Sequence, residues 1–215
     1  TNQTNGILTN YLTLNNTTGG VITNIGNIFT KDSSTFSNTG TINNTGIVSV
    51  LDSSIITNDN TYKNLVSNGN YGKLIISGTV TNNNLLSNKG RININLGTLN
   101  NSSIFNNDSL LIANGTVKLL KTSNLTNIDV IKIYNIFKNY GTLTNYFEIT
   151  SYDSSTFENY NILTNDEYGV IETKNIFNNK ETNATNTDSI DLTGIQGVFT
   201  NSGAYIHTNN IFTNS

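Results

Sequence analysis

Fourteen acidic residues are scattered along the chain, and the densest group is Asp166 with Glu167, followed by Glu172. Two carboxylates about 5 to 10 Å apart are what glycoside hydrolysis requires, one to give up a proton and one to act as base or nucleophile. In a chain that winds with a period of about 20 residues, Asp153 and Glu172 fall almost one turn apart and share a face. Lyase chemistry also uses a cation beside its acids, and the one arginine, Arg91, is far from this group in sequence. We read these acids as solvated loop charges and expect no enzyme activity.

Other reactive residue types are sparse. His207 is the sole histidine, in AYIHTNN, and there is no cysteine to join it at a metal or nucleophile site. The three DSS stretches, at 32, 52 and 153, offer one carboxylate each, and the Gly-Gly-x-Gly-x-Asp calcium repeat is missing. No metal or cofactor is expected. GTVTNNNLLSNKG contains glycines but lacks the strand, loop and helix context of a phosphate cradle.

Tyrosine is the more suggestive type. Six of the ten, Tyr134, Tyr140, Tyr146, Tyr152, Tyr160 and Tyr168, crowd into one short stretch. Presented on a flat sheet, such rings stack on sugars or pack against a neighbouring subunit; the plainer alternative is that they fill corners or cover a sheet edge. Ten Asn-x-Ser/Thr sequons, Asn16, Asn101 and Asn107 among them, are near the number this composition gives by chance.

The elements that carry these residues follow from composition. The chain holds 43 Asn, 33 Thr and 17 Gly in 215 residues, with 12% charged residues, a formal charge of -3 and no proline. Disordered chains are rich in charge and proline, whereas 62 Val, Ile, Leu and Phe are spread along this whole length, so it folds. Its apolar clusters, such as KLII at 73–76, are of strand length and far below the roughly 18 residues of a membrane helix. Ten lysines and one arginine, without clustering in sequence, argue against a nucleic-acid partner. With no methionine, the chain reads as a mature piece or an excised domain.

Internal repetition is strong. Seven of nine phenylalanines are followed two positions later by Asn, where composition alone gives about two. Admitting aliphatics adds Ile56 with Asn58, Val66 with Asn68, Leu86 with Asn88 and Leu125 with Asn127. One interval of about 20 residues recurs between these marks, from 36 to 56, 66 to 86, 105 to 125, 137 to 157 and 157 to 177. DSSTF at 32–36 and 153–157 is then the same corner of a coil, six turns apart. Shorter intervals of 10 to 14 point to a second, similar side of each coil plus bulging loops; a triangular section fits a coil of about 20 residues equally well.

Within each unit apolar residues alternate with polar ones, as in TFSNTGTINNTGIVSV, which is strand periodicity. Asn, Thr and Gly are poor helix formers. A strand with two inward aliphatics buries too little surface to stand alone, so successive coils must stack about 4.8 Å apart in columns of like side chains. Gly and Asn suit tight corners, and stacked Asn side chains can bond one another in ladders.

FSNTGTINNTGIVSV (36–50), FKNYGTLTNYFEI (137–149) and FTNSGAYIHTNNIFTN (199–214) resemble the repeat text of filamentous haemagglutinin-like and related adhesin-like surface proteins. That resemblance implies an all-β fold, a right-handed parallel β-helix (β-solenoid) of about ten coils of roughly 20 residues each, in one domain over 1–215, itself a fragment or subunit of a longer fibre. It implies a place outside the cell, on a cell or virion surface, with other copies end to end and surface glycans as partners. The leading expectation is a structural stalk, filament subunit or adhesin segment; the alternative is a carbohydrate-binding or carbohydrate-cleaving β-helix. Ice binding, a third possibility, wants Thr-x-Thr pairs at successive turns, which we do not find.

Overall fold

Four-residue segments of the form x-apolar-x-Asn are the unit of this protein. In TFSN (Thr35–Asn38) and TINN (Thr41–Asn44) the second and fourth residues are buried and the first and third face outward. Such a strand makes few contacts of its own, and two-stranded pairs of this length are marginal in water. Stacking completes them. The computed structural model describes residues 1–67, 69–165 and 169–173, with Asn70 and Thr173 as backbone, and beyond them the backbone of strands Ile176–Asn179, Ala184–Asn186, Ile190–Leu192, Val198–Asn201, Ile206–Thr208 and Phe212–Asn214.

The chain winds as a β-solenoid of three parallel sheets, of 11, 10 and 10 strands, and the described residues contain no helix. The first face begins Ile7–Asn10, Asn27–Thr30, Ile47–Val50; the second Thr13–Asn16, Thr35–Asn38, Ile55–Asn58; the third Val21–Asn24, Thr41–Asn44, Thr61–Asn64. Each strand pairs in register with its counterparts one turn below and above, as Phe36 does with Leu14 and Ile56. Eight complete turns lie between Ile7 and Asn165, and the later strands extend all three sheets.

A side consists of a four-residue strand and a corner that is usually two residues long. Three such sides account for most of a turn of about 20 residues, which gives the triangular section, and two of the three are the similar sides that the short intervals pointed to. The intervals of 10 to 14 arise because the Phe-x-Asn text occupies two neighbouring faces: Leu125 lies on the third, and Phe137, the next mark, on the second. One repeat mark was coincidental, since Val66 belongs to an antiparallel hairpin with Tyr71 rather than to a coil strand. The two DSSTF stretches do occupy the same corner, between the first and second faces of the second and eighth turns.

The interior is a set of columns. On the first face both inward positions are apolar through the middle turns: Val48 with Val50, Leu74 with Ile76, Ile92 with Ile94, Ile131 with Ile133. On the other two faces an apolar column, Phe36, Ile56, Val80, Leu99, Val117, Phe137 on one and Ile42, Tyr62, Leu86, Phe105, Leu125, Leu143 on the other, runs beside a column of Asn. Each fully buried aliphatic or aromatic contributes about 1.5 to 3 kcal/mol.

Left-handed backbone is confined, among the non-glycine described residues, to Asn5, Asp32, Ser33, Asp52 and Ser154. Four of these lie in the wider DSS corners. At some of the two-residue corners glycine serves closeness instead: a Cβ on Gly46 would strike the carbonyl of Gly26 one turn below.

Candidate functional site

The Asn columns are the most ordered polar feature. On the third face, Asn24 donates from Nδ2 to the Oδ1 of Asn44 at 2.7 Å, Asn44 to Asn64 at 2.9 Å, Asn64 to Asn88 at 2.9 Å and Asn88 to Asn107 at 2.8 Å. The chain of bonds starts at Asn2 and runs through Asn127 and Asn145 to Asn165 without a gap. A second ladder links Asn16, Asn38, Asn58, Asn82 and Asn101 on the second face and resumes at Asn139 with Asn159.

Each amide also satisfies corner carbonyls: Asn24 Nδ2 reaches Gly26 O at 3.1 Å and Ile47 O at 3.0 Å. A buried peptide carbonyl left without a donor costs about 1 to 3 kcal/mol, so each such Asn stabilises the corner beside it. Leu119 interrupts the second ladder, and there the corner widens to four residues and is closed through the backbone, Ser123 N donating to Leu120 O at 2.9 Å, while the buried Ser123 hydroxyl has no partner. The DSS corners add side-chain bonds: Ser54 Oγ donates to Leu51 O at 2.5 Å and Thr30 O at 3.0 Å. Asn16, Asn101 and Asn107, each in a sequon, are buried in the ladders and closed to modification in the folded chain.

The tyrosines mark corners. Tyr134, Tyr140 and Tyr146 stand at the three successive corners of the seventh turn, and Tyr152 and Tyr160 at two corners of the eighth. Tyr168 lies outside the described residues, as do Asp166 and Glu167. Tyr134 stacks on Tyr152, centroids 4.3 Å apart and planes at 4°, and Tyr140 on Tyr160 at 4.4 Å and 12°. These stacks border the second face, where Lys138 Nζ meets Glu158 Oε2 at 2.8 Å and the Tyr160 hydroxyl donates to the same oxygen at 3.0 Å.

Partial burial raises the Tyr134 hydroxyl pKa, with Tyr152 adding to it, and raises that of Tyr140, with Tyr160 adding to it. The Glu158 hydrogen bond lifts Lys138 above its ordinary range. The five described tyrosines of this group are spread over the three corners, and four of the rings turn a face to one another.

The acidic candidates are also dispersed. Asp153 lies in the corner after the first face of the eighth turn, while Glu172 lies on that face one turn later, opposite Thr150. Glu148 is nearer: with Phe147, Val170 and Glu172 it lines a hollow of about 250 Å³, and it accepts from Thr150 Oγ1 at 2.5 Å. His207 lies in strand Ile206–Thr208, paired with Thr185, and its side chain is outside the described residues. Among the described residues no three His, Cys, Asp or Glu gather as a metal site.

Sequence reasoning missed the basic corner of turns four and five. Lys73 and Arg91 are register partners on the outside of the first face, with Lys89 in the corner just before Arg91. The signal was the step from Ile47 to its partner Lys73, longer than the step from Asn27 to Ile47 before it, which marks an insertion beside them.

The fold therefore defines a β-solenoid of stacked parallel coils with Asn- and Thr-rich strands. Compared with protein-family models, curated proteins and solved structures, the chain matches none of them.

Proposed function

We propose that this chain is a structural element of a surface fibre: a filament subunit, stalk or adhesin segment exposed outside the cell or on a virion, working by stiffness and carrying out no catalysis. The observation that supports this reading most is the unbroken third-face ladder from Asn2 to Asn165. It joins every turn to the next through side chains, in addition to the backbone pairing of three sheets, so bending the rod strains several bonded columns at once. The outward positions are mostly Thr, Ser and Asn, which keep a long sheet surface wet with little net charge.

The ladder is also polar, since every Asn offers donors to the turn above and an acceptor to the turn below. A turn supplied by another copy is complementary only head to tail, which is the geometry of an open filament. The resemblance of FSNTGTINNTGIVSV and FKNYGTLTNYFEI to adhesin-like repeats agrees with export, and surface glycans are the partners an adhesin segment would meet.

Electron microscopy of the purified chain over a range of concentrations tests this reading. Rods that lengthen with concentration by end-to-end contact are expected; particles that associate side by side or stay short at every concentration would overturn the filament role.

A further inference from the structure

Only one corner among the described residues carries a hairpin. Leu65 and Gly72 take the two corner positions after the third turn: Leu65 N donates to Asn44 O, Lys73 N to Gly46 O and Gly72 N to Leu65 O, each at 2.7 Å. The turn-to-turn ladder therefore passes from Leu65 to Gly72 undisturbed, and residues 66–71 are an excursion sealed at its base. Val66 pairs with Tyr71 and Ser67 with Asn70 in a short antiparallel hairpin that the coil does not need.

The excursion lies beside the corners of the earlier turns and borders an open groove of about 680 Å³. Small-molecule sites fall within about 300 to 1,000 Å³. Asn5, Asn27, Thr45 and Ser67 give it amide and hydroxyl groups, Tyr71 an aromatic wall and Lys73 its only charge, with no acidic residue in the lining. Tyr71 is 58% exposed, and unlike Tyr134, Tyr140, Tyr152 and Tyr160 it stacks on no other ring among the described residues.

A second observation concerns charge. Lys73 and Arg91 are directly opposed on adjacent turns, about 4.8 Å apart along the backbone, and like charges so placed repel. Another opposed pair, Lys118 and Lys138, has Glu158 one turn further to balance it. No carboxylate forms an ion pair with Lys73, Lys89 or Arg91 among the described residues, and Arg91 Nε is held by Asn93 Oδ1 at 2.8 Å. An anion placed between these side chains removes the repulsion.

We propose that this hairpin groove and the adjoining Lys73–Arg91 pair bind an acidic saccharide. Tyr71 stacks on a sugar ring, the amides and hydroxyls meet its hydroxyl groups, and Lys73 with Arg91 takes its carboxylate or sulfate. The site stands whether or not the chain polymerises.

Calorimetric titration of the whole chain tests it, with oligogalacturonate as the carboxylated probe, a heparin-derived oligosaccharide as the sulfated one and maltohexaose as the neutral one. At least one acidic probe binds, more weakly as salt rises, and maltohexaose does not. Lys73→Gln with Arg91→Gln weakens binding by about tenfold or more, the loss expected for one charge-assisted hydrogen bond, as does Tyr71→Ala. Deleting residues 66–71 abolishes binding while circular dichroism stays unchanged, and Lys121→Gln has no effect. Preference between the two acidic probes identifies the anionic group. Failure of both acidic probes to bind, equal binding of maltohexaose, or binding that survives in the hairpin deletion would overturn the proposal.

Discussion

Asn107 donates from its Nδ2 to the Oδ1 of Asn127 at 2.7 Å, and its own Oδ1 accepts from Asn88 at 2.8 Å. Both neighbours are one turn away along the axis, and all three residues are fully buried. The same Nδ2 reaches Val130 O at 3.3 Å, so one side chain joins three turns and settles a corner. Few other residues do this: a carboxylate offers no donor, and an aliphatic side chain offers neither donor nor acceptor.

Asn107→Asp separates shape from donation. At neutral pH it places a carboxylate against the Asn127 and Val130 oxygens, a loss of about 3 to 5 kcal/mol by analogy with a buried charge deprived of its partner. Burial raises the folded-state pKa of this carboxyl above the unfolded value of about 3.9. The penalty is thus absent below that value and grows as pH rises through it. Urea unfolding should show a large deficit at pH 7 and a small one near pH 3.5, where the acid again donates; equal deficits would contradict the ladder.

Tyr62 shows the opposite condition. It stands in the third-face column between Ile42 and Leu86, fully enclosed, and its hydroxyl has no partner. Burial pushes its pKa far upward. Tyr62→Phe removes an unsatisfied hydroxyl, so stability at pH 8 should hold or rise by about 1 kcal/mol. Above pH of about 10 the unfolded chain ionises this phenol while the folded chain keeps it neutral, so the native protein loses stability as pH rises. Urea unfolding at pH 8 and 11 should show a smaller alkaline loss in the variant, and an identical loss would mean the hydroxyl is solvated.

Phe36 and Asn38 illustrate what the sequence made legible. Their spacing is that of two inward positions on one strand, and its recurrence at a constant interval records the stacking, so fold class and repeat length were readable. The number of faces was not, because the first face lacks the text through its middle turns: Val48 and Val50, for example, replace the apolar-x-Asn pair where the next corner is four residues wide. Asn was expected both at corners, for its left-handed backbone, and in stacked ladders; what the pattern did not reveal is that the ladder residues Asn38 and Asn44 also bond the corners from within. Lys73 and Arg91 become neighbours on one face only because the lengthened turn from Ile47 sets the register of Lys73, and no periodic pattern reveals an insertion's effect on register.

Two glycines should fail for different reasons. Gly46→Ala drives a methyl group into the Gly26 carbonyl and should cost about 1 to 3 kcal/mol, as overpacking does. Gly19 has φ of 78° and open space around its missing Cβ, so Gly19→Ala should cost about 1 to 2 kcal/mol through backbone strain alone. Asn tolerates that conformation, and Gly19→Asn should restore most of the loss, whereas Gly46→Asn should be worse than Gly46→Ala. Thermal unfolding of the four variants distinguishes these outcomes; rescue by Asn at position 46 would show that the corner has room.

The tyrosine stacks make the last prediction. Tyr140 and Tyr160 face one another at 4.4 Å across adjacent turns, beside the Lys138–Glu158 ion pair. If the rings serve cohesion, single replacements by Leu should be non-additive, with a coupling of about 0.5 to 1.5 kcal/mol in a double-mutant cycle. Adding saccharide should leave this coupling unchanged, because two of the four faces in the stack are turned on each other. Additive losses would show that the stack contributes no cohesion, and a saccharide-dependent coupling would mean that a sugar enters between the rings, making this second face a binding surface in its own right.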